Sequence, residues 1–170
     1  MLRGLRCPRG QYWKAVTGYP IEPKTIGEHL KKRRLDLGLK QKEVAAHLGI
    51  HLTTLQLWER GVGDPGVKPL PGIIRFLGYV PFNCESTPGG RIVFLRRCSG
   101  LTQEQLATRL DCNPGTLWRW ERDLTVSSRK HDFAESVVDQ ELKKLGIRNF
   151  VTRAIPMIFT EMRFCRRHCK

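Results

Sequence analysis

Residues 38–60 read GLKQKEVAAHLGIHLTTLQLWER, and residues 100–122 read GLTQEQLATRLDCNPGTLWRWER. A shift of 62 positions aligns the two stretches without a gap and gives ten identities in 23 positions. The identities include the opening Gly-Leu, an internal Gln, Ala and Leu, and the closing Trp-Glu-Arg. Chance is a poor explanation for an ungapped match of this length, so the chain contains an internal repeat.

The apolar spacing in the first copy indicates two short helices. Val44, Ala45 and Leu48 lie at i, i+1 and i+4, which is one face of a helix. Gly49 would end that helix, because glycine tolerates the left-handed cap conformation. Leu55 and Trp58 lie at i and i+3 and would face the same core from a second helix. A longer helix is expected before both, from about 25 to 37.

The second copy repeats both apolar rows, with Leu106, Ala107, Leu110, Leu117 and Trp120. Asp111 replaces the turn glycine, and aspartate also tolerates a left-handed conformation. Asn113 suits the N-cap of the following helix, and Pro114 suits its first turn. Two short helices joined by a tight turn form a helix-turn-helix unit, so the sequence predicts two such units.

The shared signature resembles the Cro-like, lambda-repressor-like family of helix-turn-helix proteins, often called XRE-type. It reads Gly-Leu-x-Gln-x-x-(apolar)-Ala-x-x-Leu, then a short turn, then Thr-Leu-x-x-Trp-Glu-Arg, and it covers roughly residues 25–80 and 90–123. The resemblance implies an all-α fold, with two small helix-turn-helix bundles of the lambda-repressor-like type in tandem. The charge distribution adds basic ends, which we expect to be poorly ordered. We divide the chain into a basic N-terminal arm at 1–22, helix-turn-helix units at 23–83 and 84–125, and a C-terminal helix with a basic tail at 126–170.

The charge balance points to a polyanionic partner. Thirty Lys and Arg residues against sixteen Asp and Glu give a net charge of +14. Nucleic acid is the usual partner of such a surplus. Residues 1–40 carry +7, residues 41–149 carry +3 and residues 150–170 carry +4, so the ends hold most of the excess. The alternative is that basic ends only aid solubility.

In this architecture the helix from about Leu52 to Arg60 would lie in the major groove of DNA. A Gln side chain can bond an adenine edge, and Leu or Thr methyl groups can touch thymine methyls. The alternative is that this face is merely the surface of a small helical bundle. The predicted base contacts of the first copy are His51, Leu52, Thr53, Gln56 and Leu57.

The equivalent face of the second copy carries Asn113, Trp118 and Arg119 as predicted base contacts. Arg119 could bond guanine. Pro114 and Gly115, however, offer no side-chain hydrogen bond, and Trp118 suits a protein or sugar-phosphate contact as well as a base. The sequence leaves open whether the second copy reads DNA.

The family resemblance implies phosphate contacts by Gln41 and Gln103, each of which opens the second helix of its copy. A helix N-terminus suits such a contact because its free N–H groups point outward. Lys40 and Lys42 flank Gln41 and would add affinity through counterion release. Glu104 follows Gln103 and would repel phosphate, so the second copy is expected to be the weaker DNA binder.

An acidic residue at the end of a recognition helix does not help to bind DNA, and the resemblance implies another role for it. It implies a partly buried Arg–Glu pair that ties the first helix to the third in each copy. The Trp before each Glu is expected in the core. The predicted structural residues are Arg34, Glu59, Trp58, Arg96, Glu121 and Trp120.

The remaining segments are predicted from their composition. Residues 61–72 and 83–90 are rich in Gly and Pro and are expected to be loops, with a fourth helix at about 72–77 between them. Residues 132–146 are expected to be helical. Their apolar face either completes the second copy or provides a dimer surface, and it carries Phe133, Val137, Val138, Leu142 and Leu145.

Several classes of protein are excluded by what the sequence lacks. No apolar run approaches the ~18 residues that a membrane span needs, and the basic start is followed by no apolar stretch typical of a secretory signal. Cys165, His168 and Cys169 lie close together, but a metal site needs about four ligands. No catalytic set of residues is evident. We therefore expect a non-enzymatic protein of the cytoplasm and nucleoid, without metal or cofactor.

The leading functional prediction is a sequence-specific transcriptional regulator that binds double-stranded DNA, as a homodimer or as an internal pseudo-dimer on two half-sites. The alternative is an antitoxin-like or other interaction module, in which the second unit and the tail bind a protein partner.

Overall fold

A computed structural model describes residues 19–124 and 128–154 of the chain. Every regular element in these two ranges is an α-helix, so the predicted all-α class is confirmed for them. The helices are α1 (Ile26–Asp36), α2 (Gln41–Leu48), α3 (Leu52–Glu59), α4 (Leu70–Leu77), α5 (Pro88–Ser99), α6 (Gln103–Arg109), α7 (Pro114–Glu121), α8 (Ser128–Lys144) and α9 (Arg148–Ala154).

The chain divides into two compact units, one up to Pro65 and one from Gly66 onward. Helix α4 therefore belongs to the C-terminal unit, whereas residues 23–83 were predicted to form a single unit. Within the C-terminal unit α4 packs against α5.

The N-terminal unit contains α1, α2 and α3. Thr25 starts α1 with a capping box, because its hydroxyl accepts the backbone N–H of Glu28 while the Glu28 carboxylate accepts the backbone N–H of Thr25. Gly49 ends α2 in the left-handed conformation, with φ of 65°. The core side chains come from all three helices and are Ile26, Leu30, Val44, Ala45, Leu55 and Trp58.

The C-terminal unit is built around α5, which packs against α7 and α8. Helix α8 contributes Ala134, Val138 and Leu142 to the core, each at most 1% exposed. Of the apolar face predicted for this segment, Phe133 is left 54% exposed. Of the two roles left open for this helix, completion of the second copy is the one that its buried row supports. Other core members of this unit are Ile92, Leu95, Leu106, Ala107, Leu117, Trp120 and Ile147.

The two predicted loops are shorter than expected. Helix α4 already begins at Leu70 and α5 at Pro88, so the last residues of 61–72 and 83–90 are helical. Thr87 caps α5 by accepting the Gly90 N–H at 3.0 Å, and Pro88 occupies the first turn. The prediction was wrong here because Gly and Pro mark turns, but Pro also suits the first turn of a helix.

No helix within the described ranges is long and apolar enough to cross a membrane. Cys165, His168 and Cys169, for which no metal site was predicted, lie outside the described residues, as do residues 1–18 and the rest of the basic tail beyond residue 154.

Candidate nucleic-acid interface

A buried ion pair joins the first helix of the N-terminal unit to the third. The Nε of Arg34 donates to Oε1 of Glu59 at 2.6 Å, and its Nη2 donates to Oε2 at 2.7 Å. The third guanidinium nitrogen, Nη1, donates to the backbone carbonyl of Leu39 at 3.2 Å. The side chains are only 11% and 3% exposed, so the fork geometry is held away from solvent.

Gln41 extends this pair toward the surface. Its Nε2 donates to Glu59 Oε2 at 2.8 Å, and its Oε1 accepts from Nε2 of Gln56 at 3.3 Å. Gln41 is the first residue of α2, and Gln56 lies in the middle of α3. A chain of hydrogen bonds therefore runs from the buried Arg34 through Glu59 and Gln41 to Gln56.

An open surface cleft of about 310 Å³ is lined by Gln41, Gln56 and Arg60. Arg60 is exposed, and its Nε donates to the carbonyl of Gln56 at 3.2 Å. Lys40 and Lys42 are both exposed on either side of Gln41. The cleft thus combines amide groups of fixed orientation with nearby cationic side chains.

The other predicted base contacts of the first copy lie at the start of α3 and along it. His51 is the N-cap, because its Nδ1 accepts the backbone N–H of Thr53 at 3.4 Å. Thr53 and Leu57 are exposed, and Leu52 is half-buried. The exposed Thr methyl and Leu side chain give α3 an apolar surface beside the cleft.

The second copy repeats the buried part of this arrangement. Arg96 Nε donates to Glu121 Oε1 at 2.6 Å, and its Nη1 donates to the carbonyl of Leu101 at 3.1 Å. Gln103 donates its side-chain N–H to Oε2 of Glu121. Each partner stands 62 positions after its counterpart in the N-terminal unit.

The outward part of the second copy differs. Trp118 stands where the first copy has Gln56, and it is 40% exposed. The guanidinium of Arg122 lies 4.2 Å from the centroid of the Trp118 ring. Asn113 caps α7 by accepting the Gly115 N–H at 2.8 Å, and Arg119 is exposed. No amide-to-amide bond like that of Gln41 and Gln56 can form at this position.

One glycine in each copy allows two helices to approach closely, and neither glycine was predicted from the sequence. A Cβ on Gly27 would lie 1.8 Å from the carbonyl oxygen of Trp58, and one on Gly89 would lie 2.4 Å from that of Trp120. The two glycines also differ by 62 positions, so extending the repeat upstream from residue 38 would have found them. They bring the start of the first helix against the end of the third, whereas the arginine of the Arg–Glu pair comes from the last turn of the first helix.

Residues 19–21, which precede α1, are hydrogen-bonded to side chains of that helix. Tyr19 donates its hydroxyl to Asp36 at 2.6 Å, and Lys32 donates to the carbonyl of Ile21 at 2.8 Å. Burial, together with the hydrogen bond to Asp36, raises the pKa of Tyr19 to about 12. The neutral phenol is therefore the form that this contact requires at ordinary pH.

Residues 30–83 match the helix-turn-helix family model HTH_3. The match takes in most of α1 together with α2, α3 and α4, about a third of the chain, and it ends before α5. It contains the first copy of the repeat and none of the second. No solved structure matches this chain.

Proposed function

We propose that the protein is a sequence-specific, DNA-binding transcriptional regulator that inserts α3 into the major groove. The helix-turn-helix match over residues 30–83 supports DNA binding as the class of function. The observation that carries the finer proposal is the hydrogen bond between Gln41 and Gln56 in the open cleft.

This bond leaves Gln56 with the groups that adenine requires. A glutamine amide has two N–H donors and one carbonyl acceptor, and Gln56 uses one donor on Gln41. One N–H and the carbonyl oxygen remain, which matches the N7 acceptor and N6 donor at the major-groove edge of adenine. Thr53 and Leu57, exposed on the same helix, suit contacts with thymine methyls.

The start of α2 suits the phosphate backbone. Gln41 is held by Glu59 and Gln56 and keeps one side-chain N–H for a phosphate oxygen. Lys40 and Lys42 add two exposed cationic groups at the same helix end. Phosphate contacts fix the position of the protein on DNA, and the α3 side chains then select the sequence.

Selection of bound sites from random DNA, followed by affinity titration, tests the proposal. We expect Gln56→Ala to lose about 1–3 kcal/mol on the selected site and to relax the preference at one base pair. Lys42→Ala should weaken binding to every sequence and lower the salt slope by about 1. Arg119→Ala, which removes an exposed cationic side chain from α7, tests whether the second copy contributes to the affinity. Affinity without any sequence preference would contradict a specific regulator.

A finer version gives both copies a role on DNA. In it the chain is an internal repeat of two lambda-repressor-like units, and α7 reads a second half-site through Asn113, Trp118 and Arg119 while Gln103 contacts phosphate. The repeated Arg–Glu–Gln contacts favour this version, and the Trp at position 118 weakens it. A footprint covering one half-site, with full affinity in Arg119→Ala, would reject it.

The alternative function is an antitoxin-like interaction module without enzymatic activity. The exposed Trp118 and Leu124 favour it. Helix α8 offers it little support, because its row of Ala134, Val138 and Leu142 is already buried within the C-terminal unit. Recovery of one small protein in stable, stoichiometric complex, with no DNA affinity in the purified chain, would replace the regulator proposal by this one.

A further inference from the structure

Helix α3 is capped by a histidine whose ring proton has only one possible position. Nδ1 of His51 accepts the backbone N–H of Thr53 at 3.4 Å, and the Thr53 hydroxyl oxygen lies 2.7 Å from the same nitrogen. A ring nitrogen that accepts an N–H carries no proton itself, so the proton of the imidazole lies on Nε2. The cap of α3 therefore fixes the tautomer of His51.

The same contact fixes the hydrogen-bonding capacity of Thr53. Because Nδ1 of His51 carries no proton, the Thr53 hydroxyl must donate its own proton across the 2.7 Å contact. Its oxygen is then left as an acceptor only, while His51 is left with Nε2–H as a donor only. Both residues are exposed, so the start of α3 presents one donor and one acceptor in a fixed order.

The second copy keeps the donor at this position with a different residue. Asn113 stands 62 positions after His51 and caps α7, where its Oδ1 accepts the backbone N–H of Gly115 at 2.8 Å. Its exposed amide keeps N–H groups as donors. Gly115 stands where the first copy has Thr53, so no side-chain acceptor follows. The third helix of each copy is thus capped by a residue that accepts from the backbone and keeps an N–H donor.

We propose that His51 and Thr53 read base edges with fixed and opposite polarity, His51 only as a donor and Thr53 only as an acceptor. This inference rests on the proposed insertion of α3 into the major groove. An Nε2–H requires an acceptor, such as N7 or O6 of guanine, and excludes cytosine, which offers only an amino donor there. The Thr53 oxygen requires the amino group of cytosine or adenine and excludes guanine. A free histidine or threonine can donate or accept, so the discrimination comes from the bond between the two side chains.

Two substitutions at position 51 separate the cap from the donor. His51→Asn supplies both, as Asn113 does in the second copy, whereas His51→Ser supplies a cap on a much shorter side chain. Affinity titration of the full chain on the selected site should find His51→Asn close to the wild type and His51→Ser weaker by about tenfold. Both variants should melt no lower than the wild type, because serine and asparagine are good N-caps. Equal affinities of the two variants would show that His51 only caps the helix, and would reject its role as a donor.

Selection of sites from random DNA tests the polarity itself. His51→Ser should stop excluding cytosine at one position of the site. Thr53→Val, which keeps the shape and the backbone N–H but removes the hydroxyl, should stop excluding guanine at another position. Thr54→Val removes a hydroxyl of the same helix that the cap does not use, and its sites should equal those of the wild type. A wild type that selects cytosine where His51→Ser loses its preference, or guanine where Thr53→Val loses it, would overturn the assignment.

Gln56→Ala separates a failure of this assignment from a failure of the proposed function. If Gln56→Ala loses affinity for the selected site while His51→Ser and Thr53→Val select the same sites as the wild type, the insertion of α3 stands and the fixed polarity is rejected. If the wild type shows no sequence preference at all, both are rejected. Relaxation at three different positions by the three variants would support both.

Discussion

Removal of the Glu59 carboxylate is the most informative perturbation of the N-terminal unit. In Glu59→Ala three donors lose their acceptor: Nε and Nη2 of Arg34 and Nε2 of Gln41, which lie 2.6, 2.7 and 2.8 Å from it. Arg34 is 11% exposed and keeps only its bond to the Leu39 carbonyl. The substitution therefore leaves a buried cation without its counter-charge.

The free energy of unfolding that Glu59→Ala should lose is comparable with the total stability of the N-terminal unit. Breaking a buried ion pair by removing one partner costs about 3–5 kcal/mol. The described part of this unit, residues 19–65, is stable by only about 2–7 kcal/mol, at roughly 0.05–0.15 kcal/mol per residue. Glu59→Ala should therefore leave α1–α3 largely unfolded or lower their urea midpoint by about 2 M, taking a slope of about 2 kcal/mol/M. Asp64→Ala, which removes an exposed carboxylate of the same unit, should change the midpoint little.

Hydrogen exchange resolved by peptide, combined with urea unfolding, measures the effect in each unit of the full chain. Protection of the backbone amides from exchange should fall in residues 26–60 of Glu59→Ala and in residues 88–121 of Glu121→Ala. The double variant Arg34→Met/Glu59→Leu should recover most of the lost stability, since an apolar pair can replace a buried ion pair at little cost. Unchanged protection in Glu59→Ala, or a double variant no more stable than the single one, would refute the reasoning.

Three further predictions concern packing, thiol reactivity and pH. Gly27→Ala should lower the melting temperature, because the added Cβ would lie 1.8 Å from the backbone oxygen of Trp58. Overpacking of this kind lowers the free energy of unfolding by about 1–3 kcal/mol. Gly66→Ala, whose added Cβ has no atom within 4 Å, should change the melting temperature little. Burial raises the pKa of the Cys98 thiol to about 12, so iodoacetamide should label it more slowly than Cys84 in peptide mass spectrometry; equal rates would contradict this. Hydrogen bonds from two backbone N–H groups at the start of α1 lower the pKa of Glu28 in the folded state. The Glu28 carboxylate therefore stabilises the fold above its ordinary pKa of 4.5, and this stabilisation is lost as pH falls through the lowered pKa. In Glu28→Gln the free energy of unfolding should consequently change less with pH in the acid range.

The repeat allowed much of the fold to be predicted, because the same local rules act twice. The apolar rows at 44–48 and 106–110 and the turn at Gly49 gave α2, α3, α6 and α7 without any knowledge of packing. Asp111 takes a left-handed φ of 50°, where the first copy uses glycine. The start of α5 could not be predicted in the same way. Gly89 and Gly90 looked like a linker, and only the proximity of the Trp120 carbonyl explains the first of them.

The candidate site was only partly visible in the sequence. The spacing of 25 residues between Arg34 and Glu59 recurs between Arg96 and Glu121, so an equivalent role for the two pairs could be expected. The hydrogen bonds of Gln41 could not, because positions 41, 56 and 59 come together only when α2 packs on α3. The same limit applied to Trp118, whose stacking with Arg122 depends on the rotamers of both side chains.

The two copies share their buried contacts and differ in one outward residue. In each copy a buried glutamate accepts hydrogen bonds from an arginine of the first helix and a glutamine of the second. These three residues therefore hold the helices together. The residue at one equivalent position, Gln56 in the first copy and Trp118 in the second, then decides which chemical groups lie at the surface. A glutamine there accepts the orientation imposed by Gln41 and extends it to the surface as a fixed donor and acceptor. A tryptophan cannot form that bond, so the same scaffold ends in an apolar ring. Exchange of these two residues should therefore alter DNA affinity, measured by titration on the selected site, while the Arg–Glu–Gln contacts of both units stay in place.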